Sequence, residues 1–590
     1  MEKTPRPDSS NQTSTGRAGR GWSKILGATL GFFCVALSWR ALNADHDFWA
    51  HAAVGRWIWN HGSVPTHSLF LWSAEGFPWI AHSWLSQLSF YGLIQGGGWA
   101  PQGKVSVGNG PFWVVAFTSF CVALTWLLLW RLWNCQARPG AFALVVCALG
   151  VWAGSLRYYP RPELLTAVFW TLTLCFLARR ETSQRETLER KTLERKTLER
   201  KTLERKTSAI EYSMRAQTAV IQRRFFGWKA RELALVGMFA LWANFHGAVF
   251  LGVALMAITA FFEVWQHRFD ARSRRFCCLV AACALATGLV PFGAFDYWNV
   301  LVSTQSATFS RIQEWQPILP LRDIVAFARG GAAPDLFLYA TAEIVLALLA
   351  FWAWNANPNR RWAQAAWIVF FGVLLLRQRR HMWLFALLCV AVVAANAAHL
   401  KWRAFASRRF AVNDAANDNR VLDVEKRGRA MFSVAAIVGV VFWGVTNSSP
   451  DLWARRAVSP LLPDGVCQVL QQSATRLAAR GQSLRVFNDY ENSSYLQWRL
   501  SAQDADEKRR IPLFIDLLNA YPDSVLEQYI EVAQARASGR KRLQTLRINC
   551  VVLGRSWQKS ELAKFLAADA QWTRLYASRD GDIWIRRALL

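Results

Sequence analysis

The chain has 590 residues, 53% hydrophobic and 14% aromatic, with 32 Trp, which is too apolar for a soluble protein of that length. A net charge of +29 would direct a soluble chain to nucleic acid, but here Lys and Arg gather in loops between apolar runs. That pattern excludes a nucleic-acid partner and makes the charge topogenic.

Apolar runs of about 17 to 25 residues recur, the length that crosses a bilayer core as helix. Residues 1–24 are polar and basic, and read as a disordered cytoplasmic tail. Leu26 to Leu42 is the first span, an uncleaved signal anchor because many further apolar runs follow. It delivers residues 45–110 as a first outer loop, in which Trp84 to Tyr91 is short and polar enough for an interfacial helix. Spans are then expected over Pro111–Trp133, Ala141–Leu156, Leu164–Leu177, Leu233–Ala243, Ala248–Val264 and Phe276–Val290. Leu336–Trp354, Trp362–Leu376, Trp383–Ala398 and Met431–Val445 complete about eleven crossings.

Residues 179–230 form a charged loop with four tandem Thr-Leu-Glu-Arg-Lys copies from Thr187 to Lys206. A period of five keeps no helical stripe, so a coiled coil is disfavoured, and the excess of Arg and Lys places the loop in the cytoplasm. Residues 447–590 change character: Leu484–Phe487, Pro512–Ile515, Ile548–Leu553 and Asp582–Arg586 read as strands, Ser524–Ala537 and Ser560–Ala568 as helices. The expected fold class is therefore an α-helical polytopic membrane domain over 25–446 with a C-terminal α/β domain on the outer face. Cys467 and Cys550 are the cysteines of that outer domain; they either pair in an oxidising compartment or serve as buried core residues.

On this topology Asp45, Asp47, His51, His82, Arg161, Glu163, Asn244, His246, Glu314, Arg379, Arg380 and His381 all reach one face from separate loops. Each has a bland reading, Asp45 as a helix cap or Asn244 and His246 as turn formers, but hydropathy does not force them together. Arg379 and Arg380, with Arg377, break the positive-inside bias, as an anionic ligand on that face would require; the other reading is a miscounted span that leaves the loop in the cytoplasm. A carboxylate at a low-dielectric boundary serves as general base toward a hydroxyl. Asp45, Asp47 and His51 together have donors for a divalent cation such as Mg or Mn. No nucleotide-binding glycine motif is present, so an activated donor outside the cytoplasm is expected to be lipid-linked.

The run Asp45-His46-Asp47-Phe48-Trp49-Ala50-His51, then Gly55-Arg56-Trp57-Ile58, His61-Gly62-Ser63-Val64-Pro65 and Pro78-Trp79-Ile80-Ala81-His82-Ser83-Trp84-Leu85, resembles bacterial members of the GT-C glycosyltransferase superfamily. These are relatives of protein mannosyltransferases and lipid A aminoarabinose transferases. Arg161-Pro162-Glu163, Trp242 to Gly247, Pro291-Phe292-Gly293, Glu314-Trp315, Arg380-His381, Val486 to Tyr490 and Phe514-Ile515-Asp516 extend the likeness. The sequence departs from the pattern at His67 and Ser83, where such relatives often carry acidic residues or, at the latter, Asn. The resemblance implies inverting transfer of a sugar from a polyprenyl-phosphate carrier to a lipid, glycan or protein acceptor on the outer side of a bacterial inner membrane. It also implies that Asp45 or Asp47 is the base or metal-positioning group. Two other classes stay open: a lipid or polysaccharide flippase, which needs polar residues at mid-membrane depth, and a non-catalytic envelope-assembly subunit.

Overall fold

The computed structural model describes residues 10–43, 47–96, 100–102, 105–107, 110–136, 140–180, 230–297, 312–330, 336–400, 457–501 and 510–590. Asp45, the Thr187–Lys206 repeat, the basic stretch 401–409 and the span expected at Met431–Val445 lie outside the described residues.

Every other expected span is helical. Ser10–Ser38, Gly110–Gln136, Ala141–Gly154, 163–180, Ala230–Phe245, Val249–His267, Ala271–Ala286, Phe337–Ala356, Trp362–Arg377 and Met382–Asn396 form the bundle. The first helix begins at Ser10, within the stretch expected to be a tail. Among the described residues, Gly110–Cys135, Val249–His267, Phe337–Ala356 and Arg379–His399 are long and apolar enough to cross a membrane. Shared apolar side chains bind the helices to one another, and the large tryptophans Trp126, Trp170 and Trp242 are fully buried among them. Leu285, Val369, Leu348 and Phe261 point outward and are exposed, the disposition of side chains that face lipid. Arg180–Glu263 and Arg275–Glu232 ion pairs hold one end of the bundle.

At the other end the first loop folds into two helices, Phe48–His61 and Trp84–Gly96. The first ends at Gly62, whose φ of +64° supplies the left-handed cap, its N–H donating to the Ile58 carbonyl. The two helices touch backbone to backbone at Gly55, where a Cβ would stand 2.0 Å from the Gln87 carbonyl oxygen. Only glycine permits that approach. A helix is thus present over the expected Trp84–Tyr91 and runs on to Gly96.

The C-terminal part carries a four-stranded sheet of order β3-β4-β6-β5, with β3 Val486–Asn488, β4 Cys550–Leu553, β5 Trp572–Ser578 and β6 Gly581–Arg586; β1 Ala100–Gln102 and β2 Val105–Val107 form a separate hairpin in the first loop. β3 and β4 are parallel, while β6 runs antiparallel to both its neighbours. Helices Asp523–Ala533 and Glu561–Ala568 lie near their expected positions. β5 has no counterpart in the sequence reading. Pro512–Ile515 is not a strand of this sheet; Leu513 bridges instead to Leu71 of the first loop, its N–H donating to Phe70 O at 2.9 Å. Cys467 and Cys550 are free thiols, both buried.

The first loop and the C-terminal part share one apolar core, running from Phe48, Trp49 and Phe90 to Phe487, Tyr495 and Phe514. Arg56 fastens them. Its guanidinium stacks 4.2 Å from the Trp498 ring and donates to Trp498 O at 2.6 Å and Ser501 Oγ at 2.7 Å. The Ala50 N–H donates to Ser494 Oγ at 2.8 Å beside them. A buried guanidinium that stacks on one side chain and donates to neighbouring oxygens locks the relative placement of the helices it joins. The sheet-bearing part is thereby fixed over the end of the bundle where the first loop sits.

Candidate functional site

Between that covering part and the bundle end lies a cavity of about 700 Å³, lined by Asp47, His51, His82, Arg157, Arg161, Glu163, His246, Glu314 and Arg380. A second chamber of about 370 Å³ adjoins it, sharing Asp47, Arg157, Arg161 and Glu314, and adding Arg379 with Leu156, Ile312, Leu336 and Met382.

Local structure explains why these side chains turn inward. Asp47 stands at the N-cap of helix Phe48–His61, but its carboxylate makes no cap hydrogen bond and faces Arg161 instead, with Oδ2 3.3 Å from Nε. A carboxylate released from capping at a helix N-terminus is available to a ligand. After helix Ala141–Gly154, a 3-10 turn at Ser155–Arg157 and two prolines, Pro160 and Pro162, break the chain into tight turns. These project Arg157, Arg161 and Glu163 side by side. The 3-10 turn Gln313–Trp315 presents Glu314, and the turn Arg379–His381 presents Arg380.

The charges form a lattice. Arg157 pairs with Glu163 and with Glu314 at 2.8 Å, and Arg161 pairs with Glu314 and Asp47. Burial opposes the charge on Glu314, but the Arg161 and Arg157 guanidiniums outweigh it and hold its carboxyl well below the usual range. Asp47 responds the other way. Burial raises it, Arg161 draws it down and the Glu314 charge pushes it up again, leaving it at about 6. Burial also keeps the imidazoles neutral: His51 falls to about 3, helped by Arg161 and His82, and His82 to about 4.

Arg380 differs from the other guanidiniums of the cavity. It stacks 4.2 Å from the Trp315 ring and, among the described residues, has no carboxylate partner within ion-pair distance. Arg157 and Arg161 are both spent on carboxylates. Arg380 therefore offers a cationic fork to the cavity, held flat by an aromatic face.

Of the residues expected at the site, Asp47, His51, His82, Arg161, Glu163, His246, Glu314 and Arg380 come together in the larger cavity, and Arg379 in the smaller. That Arg380 shares a cavity with the first loop puts the Arg377–His381 turn at the same end of the bundle as Asp47. Asn244 is not brought in. Its Oδ1 takes the Trp84 Nε1–H at 2.8 Å and its amide donates to Ala240 O and Leu289 O, so it joins the first loop to its own helix and to the turn that follows helix Ala271–Ala286. His381 also stays outside both chambers, with Nε2 3.2 Å from Gln378 Oε1. Asp45 lies outside the described residues.

Sequence reading missed Arg157, the centre of the lattice; its signal was the Arg157–Arg161 repeat with Glu163 at the end of a span. It also missed the roof, Leu517 to Asp523, for which hydropathy carries no signal. Asn519 there adopts φ +54° and accepts hydrogen bonds from the Tyr490 and Tyr521 hydroxyls at 3.0 and 2.8 Å. Asn488, at the end of β3, and Asp489 and Asp516, in the loops beyond, are buried and hydrogen-bonded: Asn488 Oδ1 accepts from the Phe514 N–H, Asp489 from the Gly554 N–H and Asp516 from Gln497 Nε2.

Of the metal set expected from Asp45, Asp47 and His51, Asp45 lies outside the described residues; among the described residues no group of three or more His, Cys, Asp or Glu is placed to hold a metal ion. The chemistry agrees. Asp47 faces a guanidinium and His51 Nδ1 lies 3.2 Å from Gln87 Nε2, in a cavity that Arg157, Arg161 and Arg380 also line.

No protein-family model matches the chain, and no curated protein sequence matches it either. Among solved structures it is similar to the Archaeoglobus fulgidus oligosaccharyltransferase in the apo form, at 11% identity over 92% of this chain and 71% of that one, with a TM-score of 0.46. The same enzyme in complex with Zn and sulfate matches at 11% identity over 95% and 73%, with a TM-score of 0.48. ArnT from Cupriavidus metallidurans bound to undecaprenyl phosphate matches at 13% identity over 96% and 99%, with a TM-score of 0.45. The likeness is one of general chain course, and the functional reading rests on the site.

Proposed function

We propose that the protein is a membrane glycosyltransferase that moves a sugar from a polyprenyl-phosphate donor to an acceptor hydroxyl at the outer face of a bacterial inner membrane. The observation that carries the reading is the pairing, in one cavity at the bundle end, of an uncommitted guanidinium, Arg380, with a carboxylate poised near neutrality, Asp47. The motif resemblance in the first loop points to the same chemistry. Asp47 takes the proton of the acceptor hydroxyl as its oxygen attacks the anomeric carbon. The bond from that carbon to the phosphate oxygen breaks, and the phosphate leaves with the electron pair, its charge met by Arg380 and, from the smaller chamber, Arg379. The lattice of Arg157, Arg161, Glu163 and Glu314 holds these groups in place. The smaller chamber, lined by Leu156, Ile312, Leu336 and Met382, suits the first isoprene units of a lipid carrier. No step in this reading requires a metal ion. The crossings number about eleven, with Met431–Val445 the last and residues 447–590 periplasmic.

The test is transfer from labelled polyprenyl-phosphate sugars in proteoliposomes. Transfer by the wild type, lost in Asp47→Asn, is the expected result. Absence of transfer from every carrier, with envelope glycans unchanged in a deletion strain, would move the protein to the transporter or assembly classes.

A further inference from the structure

The three imidazoles of the cavity invite the reading of a base or a metal ligand, but the hydrogen bonds behind His246 dictate a different role. His246 follows helix Ala230–Phe245 one turn after Trp242, its N–H donating to Trp242 O at 2.9 Å. The Trp242 indole, a donor only, gives its Nε1–H to Thr166 Oγ1 at 3.0 Å. Thr166 is itself buried, and Oγ1 lies 2.9 Å from His246 Nδ1. Among the described residues the Thr166 hydroxyl has no other acceptor, so its proton goes to Nδ1. A ring nitrogen that accepts a hydrogen bond bears no proton, and the neutral imidazole then carries its hydrogen on Nε2. That nitrogen has no protein partner among the described residues, and the ring lines the cavity. Burial, with His82, Arg380, His51 and Arg157 nearby, opposes a second proton and holds the imidazole neutral. The relay is fixed from behind as well: Phe169 and Phe239 pack on the Trp242 ring, and a Cβ at Gly252 would stand 2.4 Å from it.

We infer that Trp242 and Thr166 are positioning residues that lock His246 as a neutral Nε2–H donor, which hydrogen-bonds an oxygen of the bound ligand. The oxygen is either phosphoryl, on the carrier, or hydroxyl, on the sugar or acceptor. The inference rests on the glycosyltransferase reading for the ligand, though not for the tautomer.

Isotope-edited histidine NMR of the full chain in lipid, assigned by the resonance that disappears in His246→Gln, reads the tautomer without any activity. A bare Nδ1 and protonated Nε2 from pH 6 to 8 is expected, shifting to a mixture in Thr166→Val. A protonated Nδ1 or an imidazolium in the wild type would overturn the inference, whether or not any sugar is transferred. In transfer assays, loss of the hydroxyl in Thr166→Val lowers kcat/KM about tenfold, and Thr166→Ser restores it. His246→Ala loses about a hundredfold, whereas His246→Gln, which keeps a neutral amide donor but has no titrating nitrogen, stays within about tenfold of wild type. Equal loss in the Gln and Ala variants would mean that His246 acts as a base, against the inference. Binding of a polyprenyl phosphate in nanodiscs separates the two oxygens: weakened binding in His246→Ala assigns the phosphoryl oxygen, and unchanged binding with slower transfer assigns the hydroxyl. Unchanged binding and unchanged transfer would refute both.

Discussion

Replacing Asp47 by Asn keeps the size of the side chain while removing the carboxylate that, among the described residues lining the cavity, the structure poises near neutrality. Its pKa, raised to about 6 by burial against the pull of Arg161, sets the pH dependence. A general base works only ionised, so the rate follows the ionised fraction: about nine-tenths at pH 7, falling to about one-tenth at pH 5. In a proteoliposome transfer assay, kcat/KM should therefore rise with a slope of one below about pH 6 and level off above it. Asp47→Asn should cost about 10²- to 10⁴-fold on the plateau and abolish that acid limb. Glu314→Gln supplies the sign. The Glu314 charge raises the Asp47 pKa, and its removal also leaves Arg161 with one carboxylate fewer to share, so both effects move the limb to lower pH. Asp45→Asn, assayed alongside, should retain both plateau and limb. A profile flat from pH 5 to 8, a limb that Glu314→Gln moves upward, or an Asp47→Asn rate equal to wild type would refute the assignment.

Arg380→Gln should raise KM for the polyprenyl donor about tenfold to a hundredfold, since a charged hydrogen-bond donor is lost. Arg380→Lys should recover only part, because an ammonium neither forks nor lies flat on Trp315; an unchanged KM in both would exclude Arg380 from the donor site. Arg56→Ala leaves the Trp498 and Ser501 acceptors without their donor and should destabilise the union of first loop and C-terminal part by about 2–3 kcal/mol. Limited proteolysis between the two should speed up, and an unchanged cleavage rate would show that the apolar core suffices. Cysteines at Ser63 and Arg377 should both react with impermeant maleimide added from outside intact spheroplasts. Protection of both would invert the topology, and protection of Arg377→Cys alone would restore the positive-inside rule for that turn.

Much of the bundle was legible because its elements are written in local composition. A run such as Phe337–Ala356 is apolar over most of its length, with Glu343 its single charged residue, and a bilayer leaves it one way to satisfy its backbone. β5 escaped because Trp572–Ser578 alternates only in part and carries Arg574 and Tyr576 around an irregular register. Pro512–Ile515 misled for the opposite reason: its apolar run looks like a sheet strand, but its neighbour is Leu71, far away in sequence. The same distinction divides the site. Asp47, Arg161 and Glu163 stood out as charges beside apolar spans, which are costly unless partnered or used. Asn244 stood out equally, yet its amide is consumed by Trp84 and two backbone carbonyls.

The sequence by itself determined that this is a polytopic membrane protein, that charged and imidazole side chains stand in the loops between its spans, and which residue types that chemistry has to work with. Tertiary structure alone decided which carboxylate its neighbours hold ionised and which burial raises, that Arg380 is, among the described residues of the cavity, the guanidinium without a carboxylate partner, and that the C-terminal part roofs it through Leu517 to Asp523. The division has a physical cause. Hydropathy is a sum over neighbouring residues and can be read along the chain, whereas a pKa, an ion pair or a tautomer depends on groups a few ångströms apart that the chain brings together from hundreds of residues away.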